Sequence, residues 1–201
     1  MKIGVLVSGN GTNLQALLDA QARGALAPAE IAVVISNKRD VPALARAATA
    51  GVPALVIEHA GLDRVVFETR LIDALTHHGA TAVVLAGFMR VLTSHFVDRY
   101  PLGIVNTHPS LLPAFPGVDA PAQALAYGVK LAGLTVHFVD STVDGGPIIA
   151  QAAVAVEDGD DARTLHARIQ REEHRLLPIV VQRLAAGQLS CQGRHVRGSA
   201  G

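Results

Sequence analysis

Asn106-Thr107-His108, closing the apolar run Gly103-Ile104-Val105, sets an amide and an imidazole two residues apart. On an extended backbone residues two apart share a face. Both side chains can therefore donate hydrogen bonds to one oxygen, which suits an oxygen that becomes negative during acyl transfer. Pro109 stops the run, placing the pair at the C-terminal edge of a parallel sheet, where open α/β folds bind ligands. A second loop, 139–147, supplies two carboxylates, Asp140 and Asp144. A carboxylate beside an imidazole favours the cationic ring, and Gly145-Gly146 lets the backbone approach a ligand closely. Plainer roles fit the same residues: Asn106 and His108 can serve a loop, and Asp is a common β-turn residue. Spacing alone leaves both readings open.

A third candidate is the stretch Ser8-Gly9-Asn10-Gly11-Thr12-Asn13. It bridges an apolar run to a segment of helical spacing. Backbone N–H groups at a helix N-terminus, beside the positive end of its dipole, favour an anion such as phosphate. Thr12 and Asn13 can cap the helix and also reach a ligand. A dinucleotide fingerprint fits poorly, because Leu14 occupies the third glycine position and Ser36-Asn37 offers no acidic residue for a ribose. A Walker A loop fails for want of Gly-Lys-Ser/Thr. A monophosphate cradle and an ordinary capped turn both remain.

Val- and Ile-rich runs at 2–7, 31–36, 54–57, 82–85, 103–106, 133–139 and 148–156 predict the strands that must position these groups. The early runs are continuous rather than alternating, as in parallel strands buried on both faces. Helical patterns intervene at 13–23, 42–50, 63–78 and 121–126, and a long one covers 161–186. This alternation predicts a single-domain α/β fold with a mostly parallel, doubly wound, Rossmann-like sheet. The last two strands are expected to pair antiparallel. The domain is expected over 1–189, with 190–201 a frayed polar tail.

The chain has 17 basic and 17 acidic residues and no tryptophan, so neither nucleic acid nor membrane is an expected partner. Its single cysteine, Cys191, excludes an internal disulfide and fits a cytoplasmic setting. With strand character from Lys2 onward, no signal peptide is expected. The remaining histidines have no metal-ligand spacing, although His137, close in sequence to the acidic loop, suits a supporting role.

Taken together, Ser8–Leu17, Leu85-Ala-Gly-Phe-Met-Arg-Val-Leu92, Asn106-Thr-His-Pro-Ser-Leu-Leu-Pro113 and the 135–151 segment resemble the phosphoribosylglycinamide formyltransferases, within the folate-dependent formyltransferase superfamily. The resemblance runs from Lys2 to about Leu189. It implies transfer of the formyl group of 10-formyltetrahydrofolate to the amine of 5-phosphoribosylglycinamide, the third step of purine synthesis. It further implies that Asn106, His108 and Asp144 form the catalytic set. Gly11, Thr12, Asn13 and Glu173 would bind the ribonucleotide. Arg64, Met89, Arg90, Val91, Leu92, Asn106 and Asp140 would lie against the folate. No metal is implied, and the chain would act as a monomer or homodimer. One departure stands out: Val118-Asp119-Ala120-Pro121 lacks the histidines the family often carries there. A 10-formyltetrahydrofolate hydrolase or another folate-dependent formyltransferase is the alternative. Such relatives usually add a domain, which a 201-residue chain leaves little room for. A non-catalytic nucleotide-binding module would explain the first loop and none of the later motifs.

Overall fold

The computed structural model describes residues 1–198. Five apolar runs form parallel strands: β1 (Lys2–Val7), β2 (Glu30–Ser36), β3 (Ala54–Val56), β4 (Ala82–Leu85) and β5 (Ile104–His108). Two longer strands, β6 (Leu131–Phe138) and β7 (Ile148–Ala155), run antiparallel at one end. The sheet order is β3-β2-β1-β4-β5-β6-β7. The expected class and the antiparallel end are both present.

Helices cover both faces, which is why the parallel strands read as unbroken apolar runs. Ile3, Val5, Val7, Val84 and Val105 face a core shared with α1 (Thr12–Ala22), α2 (Pro42–Thr49) and α6 (Ala162–Ala185). Leu6, Val83, Leu85 and Ile104 face the other core, with Phe67, Leu71 and Leu75 of α3 (Arg64–His77) and Phe96 of α4 (Ser94–Val97). Each of these fully buried aliphatic side chains contributes roughly 1.5–3 kcal/mol, so side-chain burial dominates the stability of the sheet. A shorter helix, α5 (Ala120–Tyr127), follows the Val118-Asp119 segment. No helix among the described residues is long and apolar enough to cross a membrane.

Three details differ from the sequence reading. The four residues of α4 are too few to show a period and went unforeseen. Thr12 and Asn13 do not cap α1; Gly11 occupies the N-cap in a left-handed conformation (φ 71°), and no side chain caps the helix. Most of the expected frayed tail is ordered: β8 (Ser190–Gln192) and β9 (His195–Arg197) form an antiparallel hairpin. Its turn is Gly193-Arg194, with Gly193 at φ 58°, and Val196 packs against the first core. Residues 199–201 lie outside the described residues.

The long helix α6 is fixed at its start by a capping box. Asp161 accepts from the Thr164 N–H at 2.7 Å, and the Asp161 N–H donates to Thr164 Oγ1 at 3.0 Å. Arg168 adds a two-pronged contact to Asp160. The helix then presents His166, Gln170 and Glu173, spaced by four and three, along one stripe.

Candidate active site

Leu6, Leu85, Asn106 and His137 lie in register across β1, β4, β5 and β6. Past this level the sheet opens into a cleft of about 670 Å³, within the usual range for small-molecule sites. Strand alternation divides the cleft in two. Asn106 and His108 share the face of Ile104, as expected, whereas Thr107 shares the face of Val105 and turns toward α1 and α6.

His108 is buried, and its Nδ1 lies 3.4 Å from Asp144 Oδ2. Its Nε2 is 2.8 Å from the Phe115 carbonyl oxygen. A carbonyl can only accept, so that ring nitrogen carries hydrogen. Asp144, at φ 51°, also accepts from the Gly117 N–H at 2.8 Å. Behind Asn106 stands His137, 2 % exposed. His137 Nδ1 donates to the Phe138 carbonyl at 2.9 Å, which leaves Nε2 to accept from Asn106 Nδ2 at 3.3 Å. Burial pushes the His137 pKa down and keeps the ring neutral, against the raising influence of the Phe138 carbonyl and Asp144. His137 thus orients the Asn106 amide and uses one of its two hydrogens.

On the other side, Gly11, Thr12 and Asn13 line the cleft at the uncapped start of α1. Glycine is required at position 11, because a Cβ there would lie 2.6 Å from that of Ala43. Thr12 Oγ1 accepts from Gln170 Nε2 at 2.9 Å. Asn13 Nδ2 contacts Thr107 Oγ1 at 3.2 Å and Glu173 Oε2 at 3.3 Å. Among the described residues the buried Asn13 Oδ1 has no hydrogen-bond partner, so a ligand donor would satisfy it. Glu173 is buried, which raises its pKa despite the opposing Asn13 amide.

Met89, Arg90, Val91 and Leu92 line the opposite wall, with Met89 72 % and Val91 54 % exposed. Asp140 lies at the rim, but its Oδ1 accepts from the Thr142 N–H at 2.8 Å and from the Thr142 hydroxyl, a local turn. Arg64 is the exception among the expected residues. It opens α3 behind the N-cap Asp63 and does not line the cleft. Ser8, which opens the third candidate stretch, lines it too, as do Thr107, His166 and Gln170, to which sequence reasoning gave no role. The signals that would have found these three are strand alternation around Asn106 for Thr107, and the spacing 166, 170, 173 along one helix stripe for His166 and Gln170.

Two hydrogen-bond donors, one held by a neutral imidazole and one by a carboxylate, can stabilise an oxygen that gains negative charge. Among the described residues no group of three or more His, Cys, Asp or Glu side chains is placed to hold a metal ion.

The formyl transferase family profile matches residues 1–181. Phosphoribosylglycinamide formyltransferase of Escherichia coli K12 is 42 % identical over 190 residues, covering 94 % of this chain and 89 % of that protein. The crystal structure of glycinamide ribonucleotide transformylase 1 from Symbiobacterium toebii superposes with a TM-score of 0.96 at 49 % identity, over 98 % of this chain and 93 % of that one. The human trifunctional purine biosynthetic protein adenosine-3 is 44 % identical over 187 residues, 92 % of this chain. The chain spans 14–19 % of the length of such trifunctional relatives. With most of its length matched by one profile and by relatives of its own size, the chain belongs to the formyl transferase family.

Proposed function

We propose that the protein transfers the formyl group of 10-formyltetrahydrofolate to the amine of 5-phosphoribosylglycinamide, giving the formylated ribonucleotide and tetrahydrofolate, the third step of purine synthesis. The observation that carries this reading is the shared cleft. Asn106, His108 and Asp144 stand between a helix start suited to one phosphate and an apolar wall suited to a flat heterocycle. The family membership and the names of its near-full-length relatives support the same chemistry.

The neutral substrate amine attacks the formyl carbon, forming the new C–N bond. The carbonyl oxygen becomes negative, and the free Asn106 N–H and His108 stabilise it. To do so, His108 Nε2 exchanges the Phe115 carbonyl for the formyl oxygen. Asp144 holds the ring through Nδ1. The amine loses a proton, the folate nitrogen gains one as its bond to carbon breaks, and His108 is the proton donor. Gly11, Thr12 and Asn13 take the phosphate, and Glu173 takes sugar or amine donors. Met89–Leu92 pack on the pterin, and Asp140, engaged in its turn, borders it. No metal takes part in this scheme. The partners are the two small molecules, without nucleic acid or membrane, for a cytoplasmic monomer or homodimer.

The test is deformylation of 10-formyltetrahydrofolate by the purified protein, with and without the ribonucleotide. Turnover should require the ribonucleotide and yield its formyl derivative. Equal turnover without it would replace this reading with a hydrolase.

A further inference from the structure

We infer that Glu68 is a positioning residue for the folate half of the cleft, acting as the rear anchor of the Met89–Thr93 segment. Glu68 sits in α3 at a position that faces the second core, beside Phe67 and Leu71, and is 1 % exposed. A carboxyl buried there costs more than a leucine would unless its oxygens are engaged. They are: Oε1 accepts from the Thr93 N–H at 2.8 Å and Oε2 from the Thr93 hydroxyl. Neither Glu68 nor Thr93 lines the cleft.

The front of the same segment is held by a second side chain. Ser8 Oγ accepts from the Met89 N–H at 2.8 Å and donates to the buried Asn37 Oδ1 at 2.6 Å. Asn37 Nδ2 in turn meets His59 Nδ1 at 3.3 Å. Between these two posts the segment belongs to no strand or helix, and it presents the largely exposed Met89 and Val91 to the cleft. An irregular segment keeps one binding geometry only when its backbone is fixed by groups outside it. Ser8 belongs to the nucleotide loop and lines the cleft, whereas Glu68 touches no ligand and works through Thr93. This inference rests on the folate reading of that wall.

The experiment compares Glu68→Leu, which keeps bulk and removes both acceptors, with Glu68→Gln, which retains an acceptor for the Thr93 N–H. Glu68→Leu should raise the KM for 10-formyltetrahydrofolate and the calorimetric Kd for tetrahydrofolate by about tenfold or more. The KM for the ribonucleotide should stay within about twofold. Amide hydrogen exchange across 89–93 should accelerate, and Glu68→Gln should recover most of both effects. Thr93→Val, which spares the backbone contact, should give the same pattern more weakly if the leucine variant does not fold. Unchanged tetrahydrofolate affinity with unchanged exchange at 89–93 overturns the inference, as does an equal loss for both substrates. If the unaltered protein binds no tetrahydrofolate, the folate reading fails, and exchange at 89–93 still decides whether Glu68 is the anchor.

Discussion

Replacing Gly146 with alanine perturbs the Asp144 carboxylate, catalytic in the proposed scheme, without touching it. A Cβ at this position would stand 1.8 Å from the Phe138 carbonyl oxygen, a backbone atom, whereas real Cβ contacts hardly ever fall below 3.0 Å. The Phe138 oxygen is poorly placed to yield, because it accepts from His137 and belongs to the β6 segment paired with β5. The loop must therefore retreat by about 1.2 Å, and Asp144, two residues away, moves with it. The His108–Asp144 approach of 3.4 Å would stretch beyond 4 Å, and the Gly117 contact to Asp144 would be lost. Displacements of about 1 Å at a reacting centre cost on the order of 10²-fold in rate. Gly146→Ala should accordingly keep its circular-dichroism spectrum, bind ribonucleotide with near-normal KM and lose about 10²-fold in kcat. Steady-state kinetics with both substrates read this directly. A folded variant with kcat within about threefold of the unaltered protein would show that the rate does not depend on the position of Asp144.

Three further outcomes follow from the same geometry. Asn106→Ala or His108→Ala should lower kcat by about 10²–10³-fold, with the Kd of either substrate, measured by calorimetry, changing far less. Burial raises the Glu173 pKa, so its contribution to stability is full below the unfolded value near 4.5 and is lost as pH rises through the folded one. Glu173→Gln should remove that loss: its melting temperature should gain on the unaltered protein as pH is raised from 4 to 8, while the ribonucleotide KM rises. Hydrogen bonding to Arg168, first, lowers the Asp160 pKa to about 2. Its stabilisation is present above the unfolded value of 3.8 and lost as pH falls toward 2. The melting-point deficit of Asp160→Asn at pH 7 should therefore shrink in acid.

What could be read from sequence depended on how local the cause was. Continuous apolar runs gave away the parallel strands, and two-residue spacing put Asn106 and His108 on one face. Asp144 was harder, since its approach to His108 depends on β6 reversing direction beside β5. Nothing in the spacing of the 139–147 loop encodes that reversal, and only the resemblance joined the three residues. Arg64 is the converse case: it is named by resemblance alone, and at the start of α3 it is not among the residues that line the cleft. The tail misled because its polar composition hid a two-residue glycine turn and one apolar anchor, Val196. Glu68 looked like any charged residue on a helix, and its burial becomes visible only once Thr93 is seen to reach it.

The hairpin β8–β9 carries a practical consequence. Arg194, in its turn, donates to the Gly145 carbonyl at 2.9 Å, and Arg183 of α6 donates to the Gly198 carbonyl at 2.8 Å. The last described residues are thus clipped to the loop that bears Asp144 and to the longest helix. An affinity tag, reporter or surface tether joined directly to Gly198 would pull on the support of the loop that bears Asp144. A flexible spacer at that junction is the safer way to immobilise the protein, since the Met1 amino group is itself tied to the Pro28 carbonyl at 2.6 Å.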